Sequence, residues 1–347
     1  MKILITGGSG FLGYHLTAYL NKKGSFDLTL IDINKFNQEE YDRKNELIIA
    51  DIRDKKKMDN IVKGKDVVIH CAAALPLWKR QDIYSTNIDG TKNILDAAIK
   101  HKVKRVIYIS STAVYGVPIK HPIEEDDSKV GVGPYGESKI QAENLCFKAI
   151  KKGLPVTIIR PKTFVGVGRL GVFEILFDWI HDGKRIPVFG SGKNRYQLLD
   201  VDDLVEVIYL FLDKKGEKYN DAFNIGAQKF STISKDLEEL FAFANSGSHI
   251  LPVPSVPLKL VLRFFEILHL SPLYKWVYET ADKDSFVSIN RLIETLNWYP
   301  KYSNAQALIK AYKWYLKHYK EVKSRTSGVT HTVGWKQGIL GVIKRFL

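Results

Sequence analysis

The first 160 residues carry a regular rhythm of apolar and mixed segments. Short runs rich in β-branched residues occur at 2–6 (KILIT), 28–31 (LTLI), 46–50 (ELIIA), 67–70 (VVIH), 105–110 (RVIYIS) and 156–160 (VTIIR). They are nearly continuous in hydrophobicity rather than alternating, the pattern of strands buried on both faces. Between them, at 11–23, 54–63, 82–100 and 135–152, apolar positions recur with helical spacing. Strand and helix in alternation predict an α/β fold, a doubly wound parallel sheet with right-handed crossovers. After residue 160 the rhythm changes. A helix is expected over 172–182, another up to about 213, and a strand at 222–225. From 251 the chain is proline-punctuated and strongly apolar, with Lys259, Arg263 and Glu266 on one face of an amphipathic helix. Helices near 289–296 and 304–319 follow. The expected organisation is a sheet domain over 1–165, to which 198–228 returns. A smaller, mostly helical C-terminal substrate domain takes 166–197 and 229–320, and 321–347 is a basic amphipathic tail.

Composition narrows the classes. With 347 residues, 45% hydrophobic and 26% charged, the chain can bury one large core or two sharing a seam. No stretch reaches the length of uncharged apolar chain that a spanning helix needs. The N-terminal MKILITGGSG reads as a first strand rather than a signal peptide, because glycines break the apolar run early. These features predict a cytoplasmic protein. The two cysteines, Cys71 and Cys146, are expected as reduced thiols, and the nine histidines have no paired metal-site spacing, so no metal is expected. The net charge of +14 suits an anionic substrate, a membrane surface or nucleic acid. No helix-turn-helix, zinc or RNA-binding signature accompanies it, so nucleic acid is not expected as a partner. Part of the excess lies in lysine runs such as Lys55–Lys57, which read as solvated faces.

TGGSGFLG, residues 6–13, follows the first strand and opens the first helix. Gly7 permits a tight turn, Gly10 lets the backbone approach a pyrophosphate, and Gly13 lets the helix pack close on the strand. The helix start at Phe11 and Leu12 then offers N–H groups and a positive dipole end to phosphates. Asp32 ends the second strand, where a carboxylate accepts from an adenosine ribose 2′-hydroxyl and disfavours a 2′-phosphate. The expected cofactor is therefore NAD rather than NADP. Asp51 and Ile52, after the third strand, are placed to reach the adenine; Ala72 and Ala73, after the fourth, leave room for the cofactor's sugar and diphosphate. YGESK, residues 135–139, sets a tyrosine and a lysine one helical turn apart. YISSTAVYG, 108–116, ends the fifth strand with hydroxyls at Ser110, Ser111 and Thr112. A strand-end hydroxyl, a phenol and an ammonium can thus meet at the cofactor's edge.

At these residues the sequence resembles an extended short-chain dehydrogenase/reductase of the NAD-dependent sugar epimerase/dehydratase type (UDP-glucose 4-epimerase-like), with a Rossmann sheet domain. TGGSGFLG, Asp32, HCAAA (70–74), NIDGT (87–91), SSTAVYG (110–116), YGESK, RPKTFVG (160–166) and LLDVDDL (198–204) fall in the family's order, to about residue 319. The resemblance implies that Tyr135 is the general base and acid. It implies that Lys139 bonds the nicotinamide ribose and lowers the tyrosine's pKa, that Ser111 positions the substrate hydroxyl, and that Asn87 lies near the cofactor. A free tyrosine titrates near pH ~10, and a neighbouring positive charge lowers that by roughly 1–3 units, towards the range useful for proton transfer. The resemblance also implies a homodimer through helices 82–100 and 135–152.

The pattern departs from sugar-nucleotide relatives in places. Thr163 stands where many carry an asparagine in R-P-x-N. Arg195 matches an arginine that relatives place on a substrate phosphate, with a surface ion pair to Asp202 or Asp203 as its plainer reading. Thr112-Ala113 replaces the Asp-Glu that dehydrating relatives often carry, which favours an epimerase over a dehydratase. The first reading is an NAD-dependent epimerase or dehydratase of a nucleotide-activated sugar. A second is a dehydrogenase or reductase of a sterol-like or other apolar alcohol, with 256–279 and its Trp276 as a greasy lid. A third is a non-catalytic NAD-binding scaffold, which retention of Ser111, Tyr135 and Lys139 argues against. In the tail WKQGILGVIKRFL, 335–347, apolar residues share a helical face with Lys336, Lys344 and Arg345 beside it. That suits peripheral membrane contact, docking on the protein's own surface, or a disordered end.

Overall fold

The structure is a computed structural model that describes residues 1–76, 78–168, 172–267, 275–324 and 344, except the side chains of 172, 264–267 and 275–277. The chain begins β1 (Lys2–Thr6), α1 (Phe11–Lys23), β2 (Asp27–Asp32), β3 (Glu46–Ile49), α2 (Lys55–Val62) and β4 (Val67–His70). It continues α3 (Arg80–Tyr84), α4 (Thr91–Lys100), β5 (Arg105–Ile109), α5 (Gly133–Lys151) and β6 (Val156–Pro161). Next come β7 (Phe164–Val165), α6 (Val172–His181), β8 (Ile186–Phe189), β9 (Leu199–Asp200), α7 (Val201–Phe211) and β10 (Ala222–Ile225). Then follow α8 (Ile233–Ala244), β11 (Ile250–Val253), α9 (Ser255–Ile267), α10 (Lys275–Thr280), α11 (Asn290–Leu296), α12 (Asn304–Lys317) and α13 (Tyr319–Ser324).

Seven strands form one parallel sheet in the order β10-β6-β5-β4-β1-β2-β3. This is the doubly wound arrangement expected from the sequence, and the winding reverses between β1 and β4. Alternate residues of each strand go to opposite faces. Ile3, Ile5, Leu28 and Leu30 pack with Leu16 and Leu20 of α1 and Leu204, Ile208 and Phe211 of α7. Leu4, Ile31, Val68 and Val106 pack on the other face with Met58 of α2, Ile94 and Ala98 of α4, and Ala142 and Cys146 of α5. Burial on both sides explains why the strands read as unbroken apolar runs. Both cysteines are free thiols.

The helix expected over 82–100 is interrupted. A wider π turn at Ser85–Gly90 separates α3 from α4. Gly90 sits so close to α2's approach that a Cβ would lie 2.5 Å from Ile52 Cδ1. The extra residue per turn leaves Asn87 inside, 1% exposed, where its amide can bond across to two other segments.

The smaller C-terminal region is mostly helical with its own core, in which Phe177, Trp179 and Ile180 of α6 meet Leu240 of α8 and Tyr312 and Tyr315 of α12. It includes α8, which the sequence pattern left unassigned, and the two-stranded pairs β8–β11 and β7–β9. On α9, Lys259 pairs with Asp282 at 2.6 Å and Arg263 with Glu279 at 2.5 Å. Residues 268–274 and the side chain of Trp276 lie outside the described residues. Among the described residues no helix is long and apolar enough to cross a membrane.

Candidate active site

The crevice at the carboxyl ends of β1 and β4 is where ligands sit in such sheets. Gly7 ends β1 with φ +70°, and a Cβ there would lie 2.8 Å from the Ala72 nitrogen. Only glycine combines that dihedral with that approach. A Cβ on Gly13 would lie 2.2 Å from the Gly7 carbonyl oxygen, so α1 can sit on the turn only without one. At Gly10, by contrast, the nearest atom to a Cβ is the Gly7 oxygen at 3.2 Å, and among the described residues beyond its chain neighbours nothing else lies within 4 Å. No side chain caps the start of α1 at Gly10, and its first turn, with Phe11 and Leu12, has no acidic residue. The turn is thus an open cradle at a positive helix end, suited to a diphosphate.

Asp32 closes one side of the cradle. Its Oδ2 accepts the Ser9 N–H at 3.1 Å and its Oδ1 the Asn34 N–H at 2.9 Å, so the carboxylate is fixed beside the glycine turn. Asp51 is paired with Arg53 at 2.6 Å, and Arg53 reaches on to Asp82 at 3.2 Å. Ile52 buries its side chain, and its carbonyl accepts the Asn93 amide at 3.1 Å. On the β4 side, His70 joins Thr6 to Thr91 through its two ring nitrogens, and the Ala72 N–H donates to Thr6 Oγ1 at 3.1 Å. These bonds hold the loop of Ala72 and Ala73 against β1. Asn87 Oδ1 accepts the Ala74 N–H at 2.8 Å, and its Nδ2 donates to Ala74 O and Ser138 Oγ. Its side chain therefore fastens the β4 loop to α5.

At the β5 end, Ser111 Oγ accepts the Ala113 N–H at 3.2 Å, and among the described residues nothing takes its hydroxyl proton. Thr112, the competing hydroxyl, is buried and donates to Pro161 O at 3.3 Å. Of the two, Ser111 is the one left for a ligand. Pro134 starts α5, a position whose missing N–H costs the helix nothing. Gly136 brings this helix end close, since a Cβ would lie 2.9 Å from Ala113 O. Tyr135 and Lys139 follow on the same face. Lys139 is buried, and its Nζ donates to Ile109 O at 2.8 Å, lying 6.0 Å from the Tyr135 ring centroid and 4.9 Å from that of Tyr108. Burial pushes its pKa down to about 8, and the Glu143 carboxylate one turn further on opposes that fall.

Thr163 Oγ1 bonds Tyr196 Oη at 3.2 Å. Arg195 is exposed, with its guanidinium 4.4 Å from the Phe286 ring centroid and 4.9 Å from that of Phe230. The ion pair to Asp202 or Asp203 is not formed: Asp202 pairs with Lys310, and Asp203 accepts the Lys301 and Tyr302 N–H groups. Arg195 is held by aromatic faces instead, with its charge directed elsewhere.

Sequence reasoning missed the support beneath these groups. Glu143 and Arg160, both buried, meet through two hydrogen bonds of 2.8 Å, and Ser110 Oγ adds a third to Glu143 at 2.6 Å. Arg160 also donates to Tyr115 Oη and Glu125 O. Glu143 was findable, since it lies four residues past Lys139 on the same helix face. Arg160 and Lys162 fall inside the RPKTFVG segment, where only Thr163 was singled out; Lys162 is buried and bonded to Ser285. Among the described residues no group of His, Cys, Asp and Glu could hold a metal ion.

Known proteins are similar to this chain in sequence and in fold. The profile of the family described as NAD dependent epimerase/dehydratase matches residues 3–226. A UDP-N-acetyl-α-D-glucosaminuronate decarboxylase from Bacillus cytotoxicus is 33% identical over 272 residues, 73% of this chain and 83% of that protein. A UDP-glucose 4-epimerase from Halalkalibacterium halodurans is 26% identical, covering 92% of this chain and 96% of that one. The crystal structure of a UDP-glucose 4-epimerase from Thermotoga maritima with UDP-glucose superposes with a TM-score of 0.77 at 25% identity, covering 92% of this chain and all of that one. With a profile match that runs from within β1 to the end of β10, the chain is an NAD-dependent enzyme and belongs to the NAD-dependent epimerase/dehydratase family.

Proposed function

We propose that this enzyme is an epimerase of a nucleotide-activated sugar, and that its site residues act as follows. Gly7, Gly10, Gly13 and the start of α1 hold the diphosphate of NAD, Asp32 its adenosine ribose, Asp51 and Ile52 its adenine edge, and Ala72 and Ala73 its middle. Asn87 positions that last loop. Bound NAD supplies the acceptor and later the donor of a hydride. Ser111 donates its free proton to the sugar hydroxyl and orients it. Tyr135 Oη takes the hydroxyl proton as the ring carbon is oxidised and returns it on reduction. The Lys139 ammonium, beside the phenol in a dry setting, favours the phenolate. Thr163 and Arg195 face the nucleotide diphosphate.

The observation that carries this reading is the buried Lys139, whose ammonium lies 6.0 Å from the Tyr135 ring centroid and bonds the carbonyl of Ile109, two residues before Ser111. Epimerisation is favoured over dehydration because Thr112 spends its proton on Pro161 and Ala113 has none to give, so neither serves as a second acid or base. The relatives that act on UDP-linked sugars support the substrate class. For the apolar-alcohol reading, Val256, Leu260 and Val261 of α9 face solvent instead of covering a site.

The test is to purify the protein without added nucleotide, denature it and quantify released NAD by mass spectrometry, then incubate it with UDP-sugars and resolve the epimers. Near-stoichiometric NAD and an epimer pair are expected. An empty site that binds NAD weakly would overturn a self-regenerating epimerase in favour of a net dehydrogenase. Finer readings accompany the proposal: a cytoplasmic homodimer built on the helical segments 82–100 and 135–152, checked by sedimentation, and contact of 335–347 with a membrane surface, checked by liposome flotation. The tail lies outside the described residues except Lys344, whose Nζ bonds Asp178 of α6 at 2.6 Å and Asp182, just past that helix, at 2.5 Å. That contact favours docking on the protein's own surface.

A further inference from the structure

Lys162 follows β6 directly, at the carboxyl edge of the sheet. It is 2% exposed. Its Nζ makes one hydrogen bond among the described residues, to Ser285 Oγ at 2.7 Å, and lies 4.8 Å from the Tyr196 ring centroid. No described carboxylate pairs with it, and burial alone acts on its charge, pushing its pKa down to about 7. His121 stands nearby. Its Nε2 is buried without a partner among the described residues, and its ring packs on Phe286, next to Ser285, at 4.9 Å. Burial lowers the His121 pKa, Asp284 opposes the fall and Lys162 adds to it, so the groups sense one another. The Asp284 carboxylate is already engaged by the Arg195 N–H at 2.7 Å.

A buried ammonium held by one neutral hydroxyl is an incomplete arrangement, because buried charges are ordinarily paired. Its surroundings indicate what completes it. The residue before it, Pro161, accepts the Thr112 hydroxyl, so Lys162 borders the strand end that carries Ser111. The residue after it, Thr163, bonds Tyr196. Arg195 and Lys162 both lean on the segment 284–286, Arg195 through Phe286 from the surface and Lys162 through Ser285 from within. Lys162 is thus linked through Pro161 to the strand end that carries Ser111 and through Ser285 to the segment against which Arg195 rests.

We infer that Lys162 is a specificity residue for an acidic sugar: its ammonium exchanges Ser285 for a carboxylate carried by the sugar of the substrate. This rests on the nucleotide-sugar reading above. The four-carbon stem is flexible and tethered at one point, so the ammonium can move to a bound carboxylate. A neutral sugar leaves the ammonium on Ser285, as it is in the free protein, and gains nothing from it, whereas a carboxylate pairs the charge, so the residue discriminates by adding affinity for the acidic sugar. The other source of anionic oxygen is the diphosphate common to every nucleotide sugar.

The experiment measures, by titration calorimetry on NAD-loaded protein, the affinities of UDP, UDP-glucose and UDP-glucuronate for the wild type and for Lys162→Met. Melting temperature and NAD content verify the fold, and Lys162→Gln replaces the methionine variant if that one does not fold. The wild type is expected to bind UDP-glucuronate at least about tenfold more tightly than UDP-glucose, a difference of about 1.4 kcal/mol. Lys162→Met is expected to abolish that preference while leaving UDP and UDP-glucose unchanged. Equal wild-type affinities for the two sugars would overturn the inference. So would a variant that weakens all three ligands alike, which would assign Lys162 to the diphosphate. A wild type that binds none of the three defeats the nucleotide-sugar reading itself, and this inference with it.

Discussion

Replacing Glu143 by glutamine tests how the floor of the site is held. The carboxylate and the Arg160 guanidinium are 0% and 1% exposed, joined by two parallel bonds of 2.8 Å. Ser110 and Lys129 complete the acceptor, at 2.6 and 3.2 Å. Removing one charge of a buried pair leaves the other uncompensated, at a cost of roughly 3–5 kcal/mol. Glutamine keeps one acceptor oxygen, so the low end, about 3 kcal/mol, is expected; in a chain of 347 residues that lowers the melting temperature by roughly 4 °C. The assay is calorimetry of cofactor-free Glu143→Gln at neutral pH beside the double variant Glu143→Met/Arg160→Met. The double variant removes both charges and fills similar volume, so it is expected to melt above the single one. A Glu143→Gln protein within about 2 °C of wild type, or a double variant that melts below it, would refute the reasoning. The pH dependence gives a second check. Burial raises the Glu143 pKa, but the hydrogen bonds and charge of Arg160, with Ser110 and Lys129, outweigh it and leave the group below its ordinary 4.5. A depressed carboxylate stabilises fully above its unfolded pKa, and the contribution is lost as pH falls through the folded value. The variant should therefore show a flatter loss of stability below pH 4.5 than wild type.

The other predictions concern the site itself. Tyr135→Phe should retain NAD and lose turnover by about 10²–10⁴-fold, read in the epimer assay; unchanged turnover would remove Tyr135 from the chemistry. Lys139 has a folded pKa of about 8 against 10.5, so its buried charge costs stability below pH 8, and the cost is relieved as pH rises from 8 towards 10.5. Lys139→Met should thus melt higher than wild type at pH 7 without cofactor, by about 2 kcal/mol once the lost bond to Ile109 is counted, while losing activity. Gly13→Ala sets a Cβ 2.2 Å from the Gly7 oxygen and should abolish NAD retention; undiminished NAD content in the folded variant would mean that the turn does not hold the cofactor.

How much of this was legible depended on how many chain segments each feature needs. The glycine cradle is one turn, and the Tyr135–Lys139 pair is one turn of one helix, so spacing alone exposes them. The sheet is legible because burial on both faces leaves an unbroken apolar run in each strand. The interruption at Ser85–Gly90 was not legible, because its cause is Asn87 bonding to Ala74 and Ser138, 13 and 51 residues away. The same holds for the support beneath the site. Arg160 gains its meaning only where β6 meets Glu143 of α5 and the carbonyl of Glu125. Lys162 and Ser285 are 123 residues apart and become neighbours only because the segment before α11 folds back across the ends of β5 and β6. Motif reading therefore reaches the features that one turn or one helix contains. The residue proposed to choose the sugar is defined by segments that only the tertiary fold brings together. Its polar group, left incomplete by the protein, is visible only once burial and partners are known.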